Sequence, residues 1–320
     1  VSGGVWRTVI AWTLAIPLLA WMLIRIGGLE RGWPLVQVIA FTPYALALSL
    51  LALLAVVLLR RWVPALLLAI TCLGFILAVG PRGFGGPDGT GHGQTVRILA
   101  LNLHRGLADP GELMVLARSR DADLVVLTEV TSGSLKKLAG AGLERLYPES
   151  VVASAPATLG SGIWSRWPLG PRKRLDTRPN QVLATVQVPA SIPFELGTVH
   201  PTAPTGPRST SEWTADLDHL PPAGSRNLPL VLAGDFNATL DHARLRRLID
   251  SGYRDAGSAV GRGLSFTWPS RIGWPPPVAI DHILAQRGIG FSDYDVETVA
   301  GTDHRAVFAE LVLPPVPPGG

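Results

Sequence analysis

Leu230-Val-Leu-Ala-Gly-Asp-Phe-Asn237 is a short apolar run ending in a glycine, an acid and a carboxamide. Its length and composition predict a buried strand that delivers polar groups at its end. Gly234 lets the backbone turn closely. If extended geometry persists, Asp235 and Asn237 point to one side, because strand side chains repeat with a period of two. The same placement recurs along the chain: Asn102, Glu129, His200, Asp281 and the pair Asp303-His304 each stand at or just past the end of an apolar strand candidate. Loops at strand ends are where a rigid scaffold presents reactive groups.

The other strand candidates are Thr95–Leu101, Asp123–Glu129, Gly162–Ser165, Val182–Val188, Phe194–Val199, Ala279–Leu284 and Ala306–Leu313. Helical spacing of apolar residues marks Gly111–Arg120, and further helices are expected near Ser211–Leu220 and His242–Ser251. Strands mixed with helices, with buried runs throughout, imply a layered α/β domain. No internal repeat of fixed period is visible.

Upstream the chain changes character. Of 320 residues, 47% are hydrophobic and only 16% charged, too apolar for a wholly soluble protein of this size. The excess lies in Thr8–Ile24, Leu35–Leu59 and Val63–Val79, which contain no Asp, Glu, Lys or Arg. About 17 to 25 apolar residues span a bilayer core, so residues 1–80 are expected to form a transmembrane region with spans at about 8–26, 35–59 and 63–80. A cleaved signal peptide would not be followed by two more such runs, and Pro17, Pro43 and Pro64 are tolerated in membrane helices. Arg7 and Arg60-Arg61 flank one side, Arg25, Arg31 and Arg82 the other. The tally ties, but the tight Arg60-Arg61 loop favours the cytoplasmic face, and an odd number of spans then exports the downstream domain.

Residues 81–94 read as a Gly-rich linker, a flexible tether with a reach of about 20 Å in which His92 is solvated. The one cysteine, Cys72, falls in the third span, so the downstream domain forms no disulfide. The net charge of +4 and pI near 9.6 come mostly from arginine. Arginine suits bidentate phosphate contacts, although a coding bias explains the same skew.

The Leu230–Asn237 segment resembles the Gly-Asp-Phe-Asn signature of the endonuclease/exonuclease/phosphatase family, and further elements occur in that family's order. Leu101-Asn-Leu103 resembles its first-strand asparagine motif and Leu127-Thr-Glu129 its metal-binding glutamate. Gly162-Ile-Trp-Ser-Arg-Trp-Pro168 and Gly197-Thr-Val-His200 resemble its serine-arginine and histidine strands, and Ile280-Asp-His-Ile283 and Thr302-Asp-His304 its closing motifs. Thr302 stands where serine is commoner and Pro201 where leucine is; neither change removes a functional group.

The resemblance implies a catalytic domain over 95–315 with a tail at 316–320. It also implies an α/β four-layer sandwich of two mixed β-sheets flanked by helices, DNase I-like, and hydrolysis of a phosphoester or pyrophosphate bond. Such a bond resists attack because its oxygens are already negative, so the site must supply positive charge and an oriented water. Mg²⁺, or Mn²⁺, prefers oxygen ligands. By resemblance Glu129 is the principal ligand, with Asn102 and Asp303 completing or orienting the shell. Asp235 positions or deprotonates the attacking water, and Asn237 bonds the transition-state oxygens. His200 and His304 contact the phosphoryl group as donors, or His304 serves as the base with Asp281 fixing its tautomer. Read singly, Asp281 is a turn residue, Asn102 a cap and Glu129 a helix-start acid. His219, His242 and His282 match no family position and read as structural.

The family includes nucleases, sugar-phosphate and inositol-phosphate phosphatases and sphingomyelinase-like phospholipases. An anchor and a short tether keep the site near a lipid bilayer, which favours a phosphorylated lipid substrate. The arrangement resembles bacterial membrane proteins of the VanJ type, linked to teicoplanin resistance. That likeness implies undecaprenyl pyrophosphate as substrate at the outer face. Phe266–Pro277 carries Trp268 and Trp274 ahead of Asp281 and reads either as a lipid-facing loop or as a rigid proline-rich one. Arg172, Lys173, Arg174 and Arg178 read as a headgroup site or as a solvated hairpin rim. A membrane-anchored nuclease, or a phospholipase C-like phosphodiesterase, is the alternative; for the nuclease, nucleic acid is the partner and an extended basic surface is missing. An inert lipid-binding scaffold is the third reading.

Overall fold

The computed structural model describes residues 2–88, 93–175, 177 and 180–314. His92, Arg178 and the tail 316–320 lie outside these residues.

The strands are β1 (Thr95–Asn102), β2 (Leu124–Thr128), β3 (Glu149–Ala153), β4 (Ser161–Ser165), β5 (Lys173–Arg174), β6 (Val182–Val186), β7 (Phe194–Val199), β8 (Leu230–Asp235), β9 (Tyr253–Asp255), β10 (Asp281–Gln286), β11 (Gly290–Thr298) and β12 (Arg305–Val312). They form two six-stranded mixed sheets, ordered β11-β12-β1-β2-β4-β3 and β5-β6-β7-β8-β10-β9. Alternation along each strand builds the layers. In β1, Val96, Ile98 and Ala100 meet Val231 and Ala233 of β8 between the sheets. Leu99 and Leu101 point outward onto Leu113, Met114 and Ala117 of the helix Pro110–Ser119. On the other flank Leu230 and Leu232 pack against Trp213 and Leu217 of helix Pro207–Asp218 and Leu245 and Leu248 of helix Ala243–Asp250. The result is the expected four-layer α/β sandwich.

Topology gathers the reactive residues at one edge. β1 runs parallel to β2 and antiparallel to β12, and β8 runs parallel to β7 and antiparallel to β10. The carboxyl ends of β1, β2, β7 and β8 therefore meet the amino ends of β10 and β12, with Asp281 directly opposite Asp235. Gly234 is required at the β7–β8 contact. Its φ is +139°, and a Cβ there would sit 2.3 Å from the Val199 carbonyl oxygen.

Behind this edge, β10 and β9 are joined by a buried ion pair. His282 Nδ1 lies 2.9 Å from Asp255 Oδ2, and His282 Nε2 lies 3.0 Å from the Ala238 carbonyl oxygen. Both partners accept, so both ring nitrogens donate and the ring is an imidazolium. Burial disfavours the charge, but Asp255 outweighs burial and raises the His282 pKa; burial likewise disfavours the Asp255 carboxylate, yet His282 holds its pKa below the usual range. The histidine contribution is complete below its unfolded pKa of about 6.5 and is lost as pH rises through the folded value. The aspartate contribution is complete above about 3.9 and is lost as pH falls through its folded value. The melting-temperature gap between wild type and His282→Gln should thus be widest between those limits and narrow toward alkaline pH. A thermal-unfolding series against pH checks this; a gap that widens above neutrality contradicts the imidazolium.

The amino-terminal region departs from expectation in two ways. It comprises α1 (Ser2–Gly27), α2 (Leu35–Ile39), α3 (Thr42–Leu58) and α4 (Trp62–Val79). Two helices, Gly4–Gly27 and Trp62–Gly83, are long and apolar enough to cross a membrane. The span expected at 35–59 is instead broken at Ala40-Phe41, with Pro43 in the first turn of α3. α3 has 17 residues, about 25 Å at 1.5 Å per residue, short of a hydrocarbon core of about 30 Å. α2 belongs to the globular domain: Val36 is buried in the outer core with Trp213, and its carbonyl oxygen accepts from His242 Nε2 at 2.9 Å.

The second departure concerns the linker. Among the described residues, 80–88 are not free chain. Arg82 is buried and, with Arg25 from the end of α1, clasps Asp241 of the globular domain, with Arg25 Nε–Oδ1 at 2.6 Å and Arg82 Nη1–Oδ2 at 2.8 Å. Glu30 accepts the Ala243 amide, and Asp88 pairs with Arg254. The flexible tether is thus replaced, over these residues, by a polar clamp. Burial alone would raise the Asp241 carboxyl, but Arg82 and Arg25 hold it below the ordinary carboxylate range.

α1, α3 and α4 pack through small residues, Ala11, Ala15, Ala52 and Ala65, and present Leu51, Leu58, Leu66, Leu73 and Leu77 outward. So large an exposed apolar surface marks an interaction with lipid or protein.

Candidate active site

Asp235, at the end of β8, is fully buried and central. Its Oδ1 accepts the Asn237 amide at 2.7 Å, and its Oδ2 accepts from Asn102 Nδ2 at 3.0 Å. The same Oδ2 stands 3.7 Å from Nε2 of both His200 and His304. Asn102 also donates to Glu129 Oε1 at 3.2 Å, while Glu129 Oε2 accepts the Arg105 amide at 2.6 Å. His200 Nε2 is 3.6 Å from Glu129 Oε1. His304 Nδ1 lies 2.9 Å from Asp281 Oδ2, which leaves its Nε2 toward Asp235. The Thr302 hydroxyl donates to the Asn102 carbonyl oxygen at 2.8 Å and accepts the His304 amide at 3.1 Å, so threonine supplies the hydroxyl expected of serine.

The eight sequence-predicted site residues converge. Glu129, His200, Asp235, Asn237, Asp303 and His304 line a cavity of about 710 Å³, while Asn102 and Asp281 support it from behind. Two arrangements differ from expectation. The strand does not continue to Asn237, which has φ +47°, so the period-two argument does not place it. It is placed by a tight turn onto Asp235 and by its side-chain amide donating to the Pro201 carbonyl oxygen at 3.0 Å, leaving one N–H for a ligand. Asp303 sits half-exposed on the rim, its Oδ2 accepting from the Trp268 indole at 3.0 Å and its Oδ1 3.2 Å from His104 Nδ1. Trp268 is therefore part of the site, while Trp274 on the same loop is 91% exposed.

His104 and Arg105 line the cavity and have no counterpart in the sequence-based set. Their signal was present: polar residues just past Asn102 at a strand end. Both adopt left-handed backbone, φ +47° and +57°, as do Glu129 at +57° and Asn237. Non-glycine residues held in that region gather at functional sites. His219 bonds the Ala215 carbonyl oxygen, and His242 and His282 are buried and bonded. Lys173 pairs with Glu195 at 2.8 Å and Arg172 donates to the Val152 carbonyl oxygen, as a hairpin rim does.

Burial pushes the Asp235 carboxyl above its ordinary range, with His304 opposing and Asp281 adding to the rise. Burial opposes the charge on His304, but Asp281 and Asp235 outweigh it and push its pKa up to about 10. That favours His304 as a donor over His304 as a base. The donor set fits a hard divalent cation, since three acids, Glu129, Asp235 and Asp303, line one cleft with Asp281 behind them. Asp235, Asp281 and His304 place one ligand atom each within 4.8 Å of one another. However, Asp281 is fully buried and committed to His304, so Glu129, which faces the cavity, is the better oxygen ligand for Mg²⁺ or Mn²⁺.

Residues 99–304 match the model of the Endonuclease/Exonuclease/phosphatase family. The chain belongs to that family. Its members are hydrolases of phosphoester bonds, generally dependent on divalent metals. An endonuclease/exonuclease/phosphatase structure from Beutenbergia cavernae superposes with a TM-score of 0.53 at 19% identity, covering 69% of this chain and 72% of that one. An AP endonuclease from Archaeoglobus fulgidus gives 0.55 at 12%, covering 67% and 98%. A 3'-5' exonuclease from Neisseria meningitidis gives 0.51 at 19%, covering 68% and 100%. At these identities the likeness establishes the fold, the DNase I-like sandwich of two mixed sheets. None of the curated proteins compared with the chain matches significantly in sequence.

Proposed function

We propose that this family member is a membrane-anchored phosphoesterase that uses Mg²⁺ or Mn²⁺ to hydrolyse a lipid-linked phosphate, such as undecaprenyl pyrophosphate at the outer membrane face. One observation carries the reading. The cavity that holds Glu129, His200, Asp235 and His304 is also lined by Val36, Ala40 and Phe41, from the elbow between α2 and the apolar α3. A phosphate at the acid-histidine cluster thus leaves an attached chain against apolar surface leading to α3.

Supporting features cluster at this junction. Tyr44 at the start of α3 donates to the Pro277 carbonyl oxygen, so the Trp274 loop lies beside the helix ends. Ile272, Trp274 and Phe84, after α4, are 82%, 91% and 85% exposed, as suits side chains at a membrane interface. Arg61 bonds the Gly4 carbonyl oxygen at the opposite end of the helices, so the Arg60-Arg61 loop and the amino terminus share one side, here assigned to the cytoplasm. On this reading the chain acts as the VanJ-type proteins of teicoplanin resistance do.

The residues divide the work. Glu129, its carboxylate oriented by Asn102, would hold the divalent ion, which would supply the positive charge that phosphoryl transfer demands. His200 and His304 donate from Nε2 to phosphoryl oxygens, and Asp281 keeps a proton on His304 Nδ1. Asp235, between the two imidazoles, orients the attacking water and takes its proton; a carboxyl raised by burial is a better base near neutral pH. The free N–H of Asn237 serves the oxygens that gain charge.

Phosphate release from undecaprenyl pyrophosphate by the full chain in detergent is expected to fall to background with EDTA and to return with Mg²⁺. Metal-independent turnover, or DNA cleaved in preference to every lipid phosphate, would falsify the proposal.

A further inference from the structure

We infer that the elbow between α2 and α3, residues 36–41, is a built chain-binding wall that selects the substrate by the length of its hydrocarbon chain. The inference rests on the lipid-phosphate reading above and adds which residues meet the chain.

Three observations make the wall part of the enzyme rather than a stray membrane segment. α2 is fixed to the globular domain through its first turn, and its far end is closed by a local bond. His242 Nε2 bonds the Val36 carbonyl oxygen, Gln37 Nε2 donates to the Pro204 carbonyl oxygen and, at 3.1 Å, to Thr210 Oγ1, and Thr42 Oγ1 closes the elbow onto the Ile39 carbonyl oxygen at 2.7 Å. The opposite side is equally held, because Val278 bridges to the Trp268 backbone in both directions, at 3.0 and 2.6 Å. The wall therefore keeps its shape whatever the surrounding lipid does.

The wall is also chemically one-sided. Between the acid-histidine cluster and the helix ends the cavity is bounded by Val36, Ala40, Phe41, Pro275, Val278 and Ile280. Polar side chains adjoin this stretch but hold partners: Gln37 donates to the Pro204 carbonyl oxygen and Thr210, Thr202 donates to Asp216, Glu212 accepts from Arg208, and His242 bonds the Val36 carbonyl oxygen. The apolar stretch itself suits an isoprenoid or acyl chain, which needs no hydrogen bond.

Ala40 and Val278 mark the end of this apolar stretch. They also border a second, smaller cavity of about 150 Å³ whose walls include Pro43, Tyr44, Leu264 and Phe266 together with the Arg82–Asp241 ion pair. A methyl group at position 40 leaves room for a chain at the apolar end of the active-site cavity, and a large side chain there fills it.

The test compares kcat/KM for undecaprenyl pyrophosphate with that for farnesyl pyrophosphate, which carries the same headgroup on a short chain, in one detergent. Wild type, Ala40→Trp and Val278→Trp full chains are measured, the second variant filling the same apolar end from the other side. Both variants should lower the long-to-short ratio by about ten-fold or more, the scale on which apolar pockets discriminate. The ratio is independent of the fraction of protein that is folded, so a uniform loss leaves it unchanged. An unchanged ratio in both variants overturns the selector. If wild type hydrolyses water-soluble phosphoesters but neither prenyl substrate, the lipid reading itself fails, and the wall with it. If a single-stranded oligonucleotide competes in wild type but not in Ala40→Trp, the groove takes nucleic acid and the inference is overturned.

Discussion

Asp235→Asn is expected to lower kcat by about 10²- to 10⁴-fold while costing no more than about 1–3 kcal/mol of stability, the penalty of one buried hydrogen bond lost. The side chain keeps its shape but loses its function. Asp235 Oδ2 accepts from Asn102 and faces the Nε2 atoms of His200 and His304, so an amide N–H placed there meets donors, and no group remains to take a proton from water. The carboxyl is wholly buried and disfavoured as an anion by that burial, hence its neutral replacement carries no penalty of desolvated charge. Steady-state kinetics and thermal melting together check this. A variant that loses activity only because it melts earlier would assign Asp235 to the fold, and one with wild-type kcat would remove it from the chemistry.

Asp241→Ala is expected to cost about 3–5 kcal/mol, the usual penalty for removing one partner of a buried ion pair. Two guanidinium groups, Arg25 and Arg82, lose their shared carboxylate in a site where each is nearly inaccessible to water. The predicted symptom is specific. The segment 80–88 should become cleavable by protease under conditions where the wild-type chain is intact, because Arg82 is what holds its start against the domain. An apolar triple replacement, Asp241→Leu with Arg25→Met and Arg82→Met, should recover much of the stability, since no unpaired charge remains buried. Equal protease resistance of Asp241→Ala and wild type would show that the clamp is dispensable.

The catalytic half of the molecule was legible because its signals are local. β2 and β8 are continuous apolar runs and β1, β7, β10 and β12 are mostly apolar ones, and each places its polar residue within a position or two of a strand end. What could not be read is what depends on distant partners. β11, with the sequence Gly-Phe-Ser-Asp-Tyr-Asp-Val-Glu-Thr, is an edge strand whose alternation is interrupted by a register shift at Phe291/Asp293. The helix Ser132–Ala141 contains two glycines and lacks strong propensity, and it is set by the reciprocal cap between Thr131 and Ser134. Asn237 required a turn rather than a strand, and His104 and Arg105 required a left-handed backbone that no periodicity announces.

In the amino-terminal region two of the three expected spans stand as helices long enough to cross a membrane, and the middle one departs for a related reason. Hydropathy counts apolar residues without asking what covers them. Leu35–Ile39 is as apolar as α3, yet Val36 is covered by protein. Arg25 and Arg82 entered a charge tally as loop residues, although their partner, Asp241, lies more than 150 positions along the chain from either one.

If the substrate is the proposed lipid-linked phosphate and the helices lie in its bilayer, the clamp at Asp241 has a kinetic consequence. A domain on a loose cord would sample a hemisphere of solution and meet the surface only part of the time. A domain bolted to its helices keeps its cleft at one height and in one orientation. Encounter then becomes a search in two dimensions, governed by how many substrate molecules lie in each patch of membrane and not by how much is present per volume. Diluting the substrate with inert lipid at constant bulk concentration should therefore slow this enzyme, whereas adding solvent at constant surface composition should not.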